Sequence, residues 1–265
     1  MFSRSKPARY FSTIMIMISG ILLIGAQYKP WGWLILAGTG LSLLFTDKKF
    51  AKFALLIVLS VGILGVTEIN TDINIIHILK TGLLLNLAVL IPFFISKYYF
   101  KSKIISFPLG DVRSWGKKQY AYIGLAFGLA YLLIPFYLQN TGAYLNWPAG
   151  TDSSSLIKLF LGTNGLGIWD ELFFVIVCLA IFAKFLPFFF ANIAQATLWT
   201  AFLYELGFTS WAPLMIFPFA LLQGYVFKKT HSLLYILAIH LTVDLVLYLA
   251  LINAHHPELL NIFIT

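Results

Sequence analysis

The sequence predicts an all-α fold: a polytopic membrane helix bundle of about nine crossings, eight to ten by the apolar runs. Three observations carry that reading. Of 265 residues, 60% are hydrophobic, 17% aromatic and only 11% charged, and mean hydropathy is +0.88. A soluble domain carries about 25% charged residues. The apolar residues also fall into runs of membrane-crossing length, roughly 17–25 residues. Finally, Lys and Arg concentrate in the short loops between those runs, as they do in cytoplasmic loops of membrane proteins.

Taken in order, the expected spans are 10–27, 31–45, 52–67, 76–95, 119–138, 156–184, 188–206, 211–227 and 232–252. The first follows a basic segment, MFSRSKPARY. Its apolar run exceeds the ~7–15 residues of a signal-peptide core and lacks an A-x-A site, so it reads as an uncleaved helix. The second and third spans are short. The sixth contains GTNGLG, residues 162–167, whose glycines predict a break there. Residues 1–150 read as amino-terminal membrane helices without motif, and 151–265 as the core that carries the candidate site.

Charge placement orients the bundle. Arg4, Lys6 and Arg9 precede the first span, and Lys48, Lys49 and Lys52 follow the second. Lys97, Lys101, Lys103, Arg113, Lys117 and Lys118 fill the loop after the fourth; Lys184, Lys228 and Lys229 end later spans. All share one side if the amino terminus is cytoplasmic. Glu68, Asp72, Asp152 and Glu258 mark the other side, with Lys29 and Lys158 as exceptions. The net charge of +8 therefore points to membrane lipids as partners and not to nucleic acid. The single cysteine, Cys178, lies in an apolar run and reads as a buried structural thiol, which excludes an intramolecular disulfide and a Cys-based zinc site.

Ionisable residues inside apolar spans are costly, about 2.5–3.5 kcal/mol each at mid-bilayer, and mark functional sites by default. Asp170 and Glu171 open the run WDELFFVIV. Adjacent helical positions point about 100° apart, so each carboxylate can serve a different neighbour. Acidic residues in the first turn of a helix are the structural alternative. His240 and Asp244 stand four residues apart on the last span, hence on one face; a mutually satisfied interhelical pair is the alternative there. Between them, Asn192 and Gln195 point along one stripe of the seventh span toward the same region and are expected to line its cavity. Leu203 continues that stripe, eleven residues being close to three turns. Glu205, near the outer end of the span, is expected to be solvated.

The order and spacing of these pieces resemble the CAAX-processing and bacteriocin-processing (CPBP, or Abi) intramembrane protease family. That family carries E-E-x-x-x-R, F-x-x-x-H and H-x-x-x-N/D on successive helices. DELFFV resembles the first motif, with Asp170 for the leading Glu, Glu171 retained and Val175 at the Arg position. ANIAQATLWTAFL is similar to the second, with Trp199 for Phe and Leu203 for His. HLTVD matches the third through His240 and Asp244, and the connector GYVFKKTHSLL is also similar.

The resemblance implies peptide hydrolysis near the membrane, with Asp170 or Glu171 as base, His240 as oxyanion stabiliser or ligand, and Asp244 as its orienter. It also implies a bacterial inner (plasma) membrane and hydrophobic or lipidated peptides, or a membrane protein, as partners. The departures have physical consequences. Asp is a methylene shorter than Glu, Leu203 can neither donate a hydrogen bond nor bind a metal, and Val175 supplies no cation for Glu171. Three protein ligands are usual at a catalytic metal. With only His240, Asp244 and the Asp170/Glu171 pair remaining, the metal is left unassigned. Two further readings stand beside the endopeptidase: a catalytically silent binding or immunity-type protein, and a transporter. No inverted repeat or pair of broken helices supports the last.

Overall fold

A computed structural model describes residues 5–263, and every regular element among them is helical. Arg4 lies outside the described residues. Helices α1 (Ser5–Gly20), α2 (Lys29–Ser42), α3 (Lys48–Gly65), α4 (Ile75–Phe94) and α5 (Lys117–Thr141) come first. Then follow α6 (Ser153–Asp170), α7 (Ala180–Phe185), α8 (Phe188–Glu205), α9 (Pro213–Thr230) and α10 (Leu233–His255). A nine-residue π-helical stretch, Glu171–Leu179, fuses α6 to α7. Counting that fused rod once gives nine long helical segments among the described residues, where five pieces are long and apolar enough to span a membrane: Lys6–Gly25, Ile75–Tyr99, Lys117–Thr141, Ser153–Phe185 and Leu233–His255. The chain is a polytopic helical membrane protein.

Helix starts follow their capping chemistry. Asp47, Asn74, Asp152 and Ser232 each accept a backbone N–H from the first turn of the helix they precede, α3, α4, α6 and α10, satisfying donors that the helix leaves open.

The fused rod is the centre of the bundle. Phe173 through Leu179 are buried without exception. Helix α10 packs along α5 and α6, α8 lies against α9 and the π stretch, and α4 covers the rod's far side. Trp169 donates its indole N–H to the Leu85 carbonyl at 2.7 Å, pinning the rod to α4. Helices from both halves of the chain contribute to one continuous core.

The expected break at residues 162–167 is corrected. Helix α6 runs through GTNGLG to Asp170, and the irregularity begins only afterwards, as the π stretch. In lipid no water is available to take up freed peptide groups, so a glycine-rich segment keeps its intrahelical hydrogen bonds. Asp170 and Glu171 therefore stand in the interior of a continuous rod, and the first-turn alternative does not apply to them.

Polar lacing closes the two ends. At one, Arg9 donates to Asp47 at 2.7 Å and to the last-turn carbonyl of Phe185 at 3.1 Å. Partial burial on its own would raise the Asp47 pKa, but the Phe50 N–H and the Arg9 guanidinium outweigh it and hold the carboxyl below its ordinary range. At the other end, Glu205 accepts from the Ile69 N–H at 2.6 Å and from the Gln27 amide at 2.5 Å. The expectation of a solvated Glu205 is thus corrected: it joins the turn after α1, the segment after α3 and the end of α8. His255 and His256 tie the carboxyl end to the carbonyls of Tyr144, Trp147 and Ala149 in the α5–α6 connection.

Candidate active site

The rod brings Asp170 and Glu171 to α10 from the same level, and the two carboxylates approach opposite edges of one imidazole. Glu171 Oε1 lies 3.0 Å from His240 Nδ1. Asp170 Oδ2 lies 4.0 Å from His240 Nε2, and Asp244 Oδ1, one turn along α10, lies 3.6 Å from the same nitrogen. The four groups converge. All are withdrawn from the surface: Asp170 is 1% exposed, Glu171 0%, His240 5% and Asp244 6%.

The π stretch starts at Glu171. One extra residue per turn changes which side chains face α10, and such stretches recur at functional sites. Gln223 of α9 completes the support for Glu171. Its amide donates to Glu171 Oε1 at 2.7 Å and to the Ile236 carbonyl of α10 at 3.2 Å. The sequence reading passed over Gln223, although a lone amide inside the apolar run of α9 was the signal available.

Gly167 was passed over too. A methyl group at this position would overlap the Asp244 carboxylate and press on the His240 ring, so bare backbone here is what lets α10 bring both residues to the rod. Its signal was hidden by the other glycines of the segment, Gly162 and Gly165, whose surroundings are open.

Aromatic rings wall the site. Trp199 of α8 lies 5.3 Å from His240 between ring centroids and stacks on Phe174 at 5.4 Å; Phe219 of α9 meets the imidazole edge at 5.4 Å. The α8 side chain that reaches the imidazole is therefore Trp199. Leu203, at the place of the histidine in the second motif, lies one turn further on and packs half-buried against the core.

Asn192 and Gln195 are turned to a different task. Asn192 donates to the Leu221 carbonyl at 2.8 Å, and Gln195 donates to Ala220 at 2.9 Å and to Asn192 Oδ1 at 2.9 Å. The pair clamps α8 to the α9 backbone, and Gly224 leaves the space that the Asn192 carbonyl oxygen fills. Both amides are turned to the α9 backbone, which departs from the expectation that both line the cavity.

Several buried polar atoms around His240 have no hydrogen-bond partner among the described residues: Asp170 Oδ1, Glu171 Oε2, Asp244 Oδ2, Gln223 Oε1 and Trp199 Nε1. An unpaired buried polar atom costs on the order of 1–3 kcal/mol, and such a concentration belongs to a site built to receive water or a polar group. Metal ligation fits less well. Glu171, held by Gln223, occupies one edge of the imidazole, the indole of Trp199 is a donor only, and among the described residues no three His, Cys, Asp or Glu side chains form a ligand set.

Set beside known proteins, residues 152–246 match the family model for type II CAAX prenyl endopeptidase Rce1-like proteins. The stretch begins at the cap of α6 and ends two residues past Asp244, so it takes in the rod, α8, α9 and the histidine-bearing half of α10. Over this segment the membrane protein is similar to CAAX-type endopeptidases. No curated protein matches the chain, and no solved structure does.

Proposed function

We propose that the chain is an intramembrane endopeptidase of the CAAX type that hydrolyses peptide bonds with a carboxylate-activated water. The observation that carries this is the meeting of Asp170, Glu171, His240 and Asp244 around unpartnered carboxylate oxygens. The roles follow from who is already engaged. Glu171 Oε1 is held by Gln223 and by His240 Nδ1, so Glu171 orients the imidazole. Asp244 stands 3.6 Å from the ring's other nitrogen, as a neighbouring carboxyl that closes no hydrogen bond and leaves the Nε2 N–H for the substrate. Asp170 stands 4.0 Å from His240 and keeps Oδ1 without a hydrogen bond, which makes it the base.

In the hydrolytic step Asp170 takes a proton from water as the water oxygen bonds to the scissile carbonyl carbon. The carbonyl π pair moves onto oxygen, where the imidazolium N–H of His240 Nε2 meets it. Collapse breaks the C–N bond, and the proton held by Asp170 passes to the leaving nitrogen, restoring the carboxylate. General base action contributes about 10²–10⁴ in rate and a donor at the oxyanion about 10²–10³. Hydrophobic or lipidated peptides, or segments of membrane proteins, are the substrates a lipid-shielded site suits. The basic loops favour a cytoplasmic amino terminus, and the family resemblance favours a bacterial inner membrane.

One observation favours a second reading, a silent binding protein: every one of the four residues is nearly closed off, so a substrate must open the bundle to reach them. The experiment is cleavage of a lipidated, membrane-proximal peptide by the purified protein in liposomes. Cleavage by the wild type that Glu171→Gln and His240→Ala both abolish supports hydrolysis. Cleavage that survives both changes, or a peptide bound and left intact, rejects it.

A further inference from the structure

The indole of Trp199 carries a buried donor of the site that closes no hydrogen bond among the described residues. The side chain is fully buried, and its Nε1 has no partner among the described residues. The ring is fixed on two sides, stacked on Phe174 at 5.4 Å with an interplanar angle of 14° and tilted against His240 at 5.3 Å. The N–H lies beside the Asp170 carboxylate without closing a hydrogen bond to it. Buried indoles usually find a partner for this proton; the Trp169 indole in the same rod does, at the Leu85 carbonyl.

The geometry points to Trp199 as a catalytic oxyanion donor: its Nε1–H, together with His240 Nε2, receives the negative charge that forms on the scissile carbonyl oxygen. The inference rests on the hydrolytic reading of the site and adds to it a residue that the motif comparison left out. Both donors flank Asp170, the base, so a carbonyl placed for attack by an Asp170-bound water presents its oxygen to them. The ring is rigid, held by stacking rather than by a flexible stem, and a preorganised donor in a water-excluded site needs no reorganisation as charge develops. An indole cannot accept a hydrogen bond or ligate a metal, so donation is the one polar role open to this side chain.

The test uses the full-length protein in detergent with two probes: a lipidated peptide phosphinate, whose tetrahedral anionic group stands at the scissile position, and the matching uncleaved ground-state peptide. Trp199→Phe keeps an aromatic ring against Phe174 and His240 and deletes the donor. Phosphinate affinity is expected to fall about 10²-fold with ground-state affinity unchanged, and kcat to fall alongside at constant KM. Trp199→His, which restores an N–H, recovers part of both losses.

A wild type that does not bind the phosphinate, or a Trp199→Phe variant that binds it within about threefold of wild type, overturns the proposal; threefold is far below the loss of an oxyanion donor. If Trp199→Phe does not fold, a ¹⁵N-indole label at Trp199 in the wild type gives the answer. Its N–H resonance moves downfield with the phosphinate and not with the ground-state peptide, and a resonance indifferent to both overturns the assignment. The two readings fail separately. Trp199-dependent phosphinate binding by a protein that cleaves nothing leaves the donor standing and removes the hydrolysis. Cleavage indifferent to Trp199→Phe does the reverse.

Discussion

Gly167→Ala offers the most informative single change, because its effects on stability and on activity should separate. The added methyl group falls on the Asp244 carboxylate. Overpacking a well-filled core costs about 1–3 kcal/mol, while replacing Gly by Ala in a helix interior returns roughly 1 kcal/mol. The net loss of stability is then about 0–2 kcal/mol, small enough for the variant to fold. The site fares worse. Asp244 must move away from His240, to which it now stands at 3.6 Å, and a displacement of about an ångström in a catalytic array can cost 10²-fold in rate.

The assay pairs thermal unfolding in detergent with peptide cleavage, for Gly167→Ala alone and combined with Asp244→Ala. The single variant is expected to unfold within a few degrees of wild type and to lose about 10²-fold in kcat. The double variant makes room for the methyl group and should be more stable than Gly167→Ala by part of the overpacking cost. A Gly167→Ala protein with full activity, or a double variant that gains nothing, would refute the placement of Asp244 against this stretch of backbone.

Three further outcomes are expected. Gln223→Leu deletes the donor to Glu171 and should lower kcat about 10–100-fold through a misoriented imidazole, since a hydrogen bond to a charged group is worth about 1.5–3 kcal/mol; a shift in KM alone would contradict the positioning role. Asn192→Leu breaks the α8–α9 clamp and should cost roughly 1–3 kcal/mol of stability while the folded fraction keeps its kcat, so a selective loss of kcat in Asn192→Leu would return this residue to the reacting centre. Asp47→Asn removes the pairing with Arg9. Because the folded-state pKa of Asp47 lies below its unfolded value, the stability it adds is present above about pH 4 and is lost as pH falls through the lower, folded-state value. Unfolding curves of wild type and Asp47→Asn should differ by about 0.2–1 kcal/mol at neutral pH, as for a partly exposed ion pair, and merge in acid; a gap that widens on acidification would contradict that sign.

What the chain reveals before folding depends on the physical signal. Hydropathy and loop charge report a solvent, and lipid is a demanding one, so all nine segments follow from runs of apolar residues. Asp170, Glu171, His240 and Asp244 stood out for the same reason, as ionisable groups with no water to solvate them. Backbone irregularity did not announce itself. The glycines of GTNGLG suggested a break that the bilayer forbids, while the π stretch lies in ELFFVIVCL, whose residues are ordinary helix material. Register on α8 was equally hidden. Eleven-residue spacing put Asn192, Gln195 and Leu203 on one stripe, but a helix apolar all round does not say which stripe meets the rod; packing turned Trp199 to His240 and sent the amides to α9. Gln223 and Gly167 matter through what they touch, a carboxylate and a carboxylate-bearing turn from other crossings, and no local pattern encodes such contacts.

The most direct measurement of the central claim is isotopic. The purified protein is given a lipidated, membrane-proximal peptide in H₂¹⁸O, and the newly formed carboxyl end is weighed by mass spectrometry. Wild type should place one ¹⁸O atom in each new carboxylate, and Asp170→Asn, nearly isosteric but unable to accept the proton, should yield no cleaved peptide above background. An Asp170→Asn protein that still incorporates the label at the wild-type rate would show that water is activated elsewhere, and the gathering of acidic groups about His240 would then have another purpose.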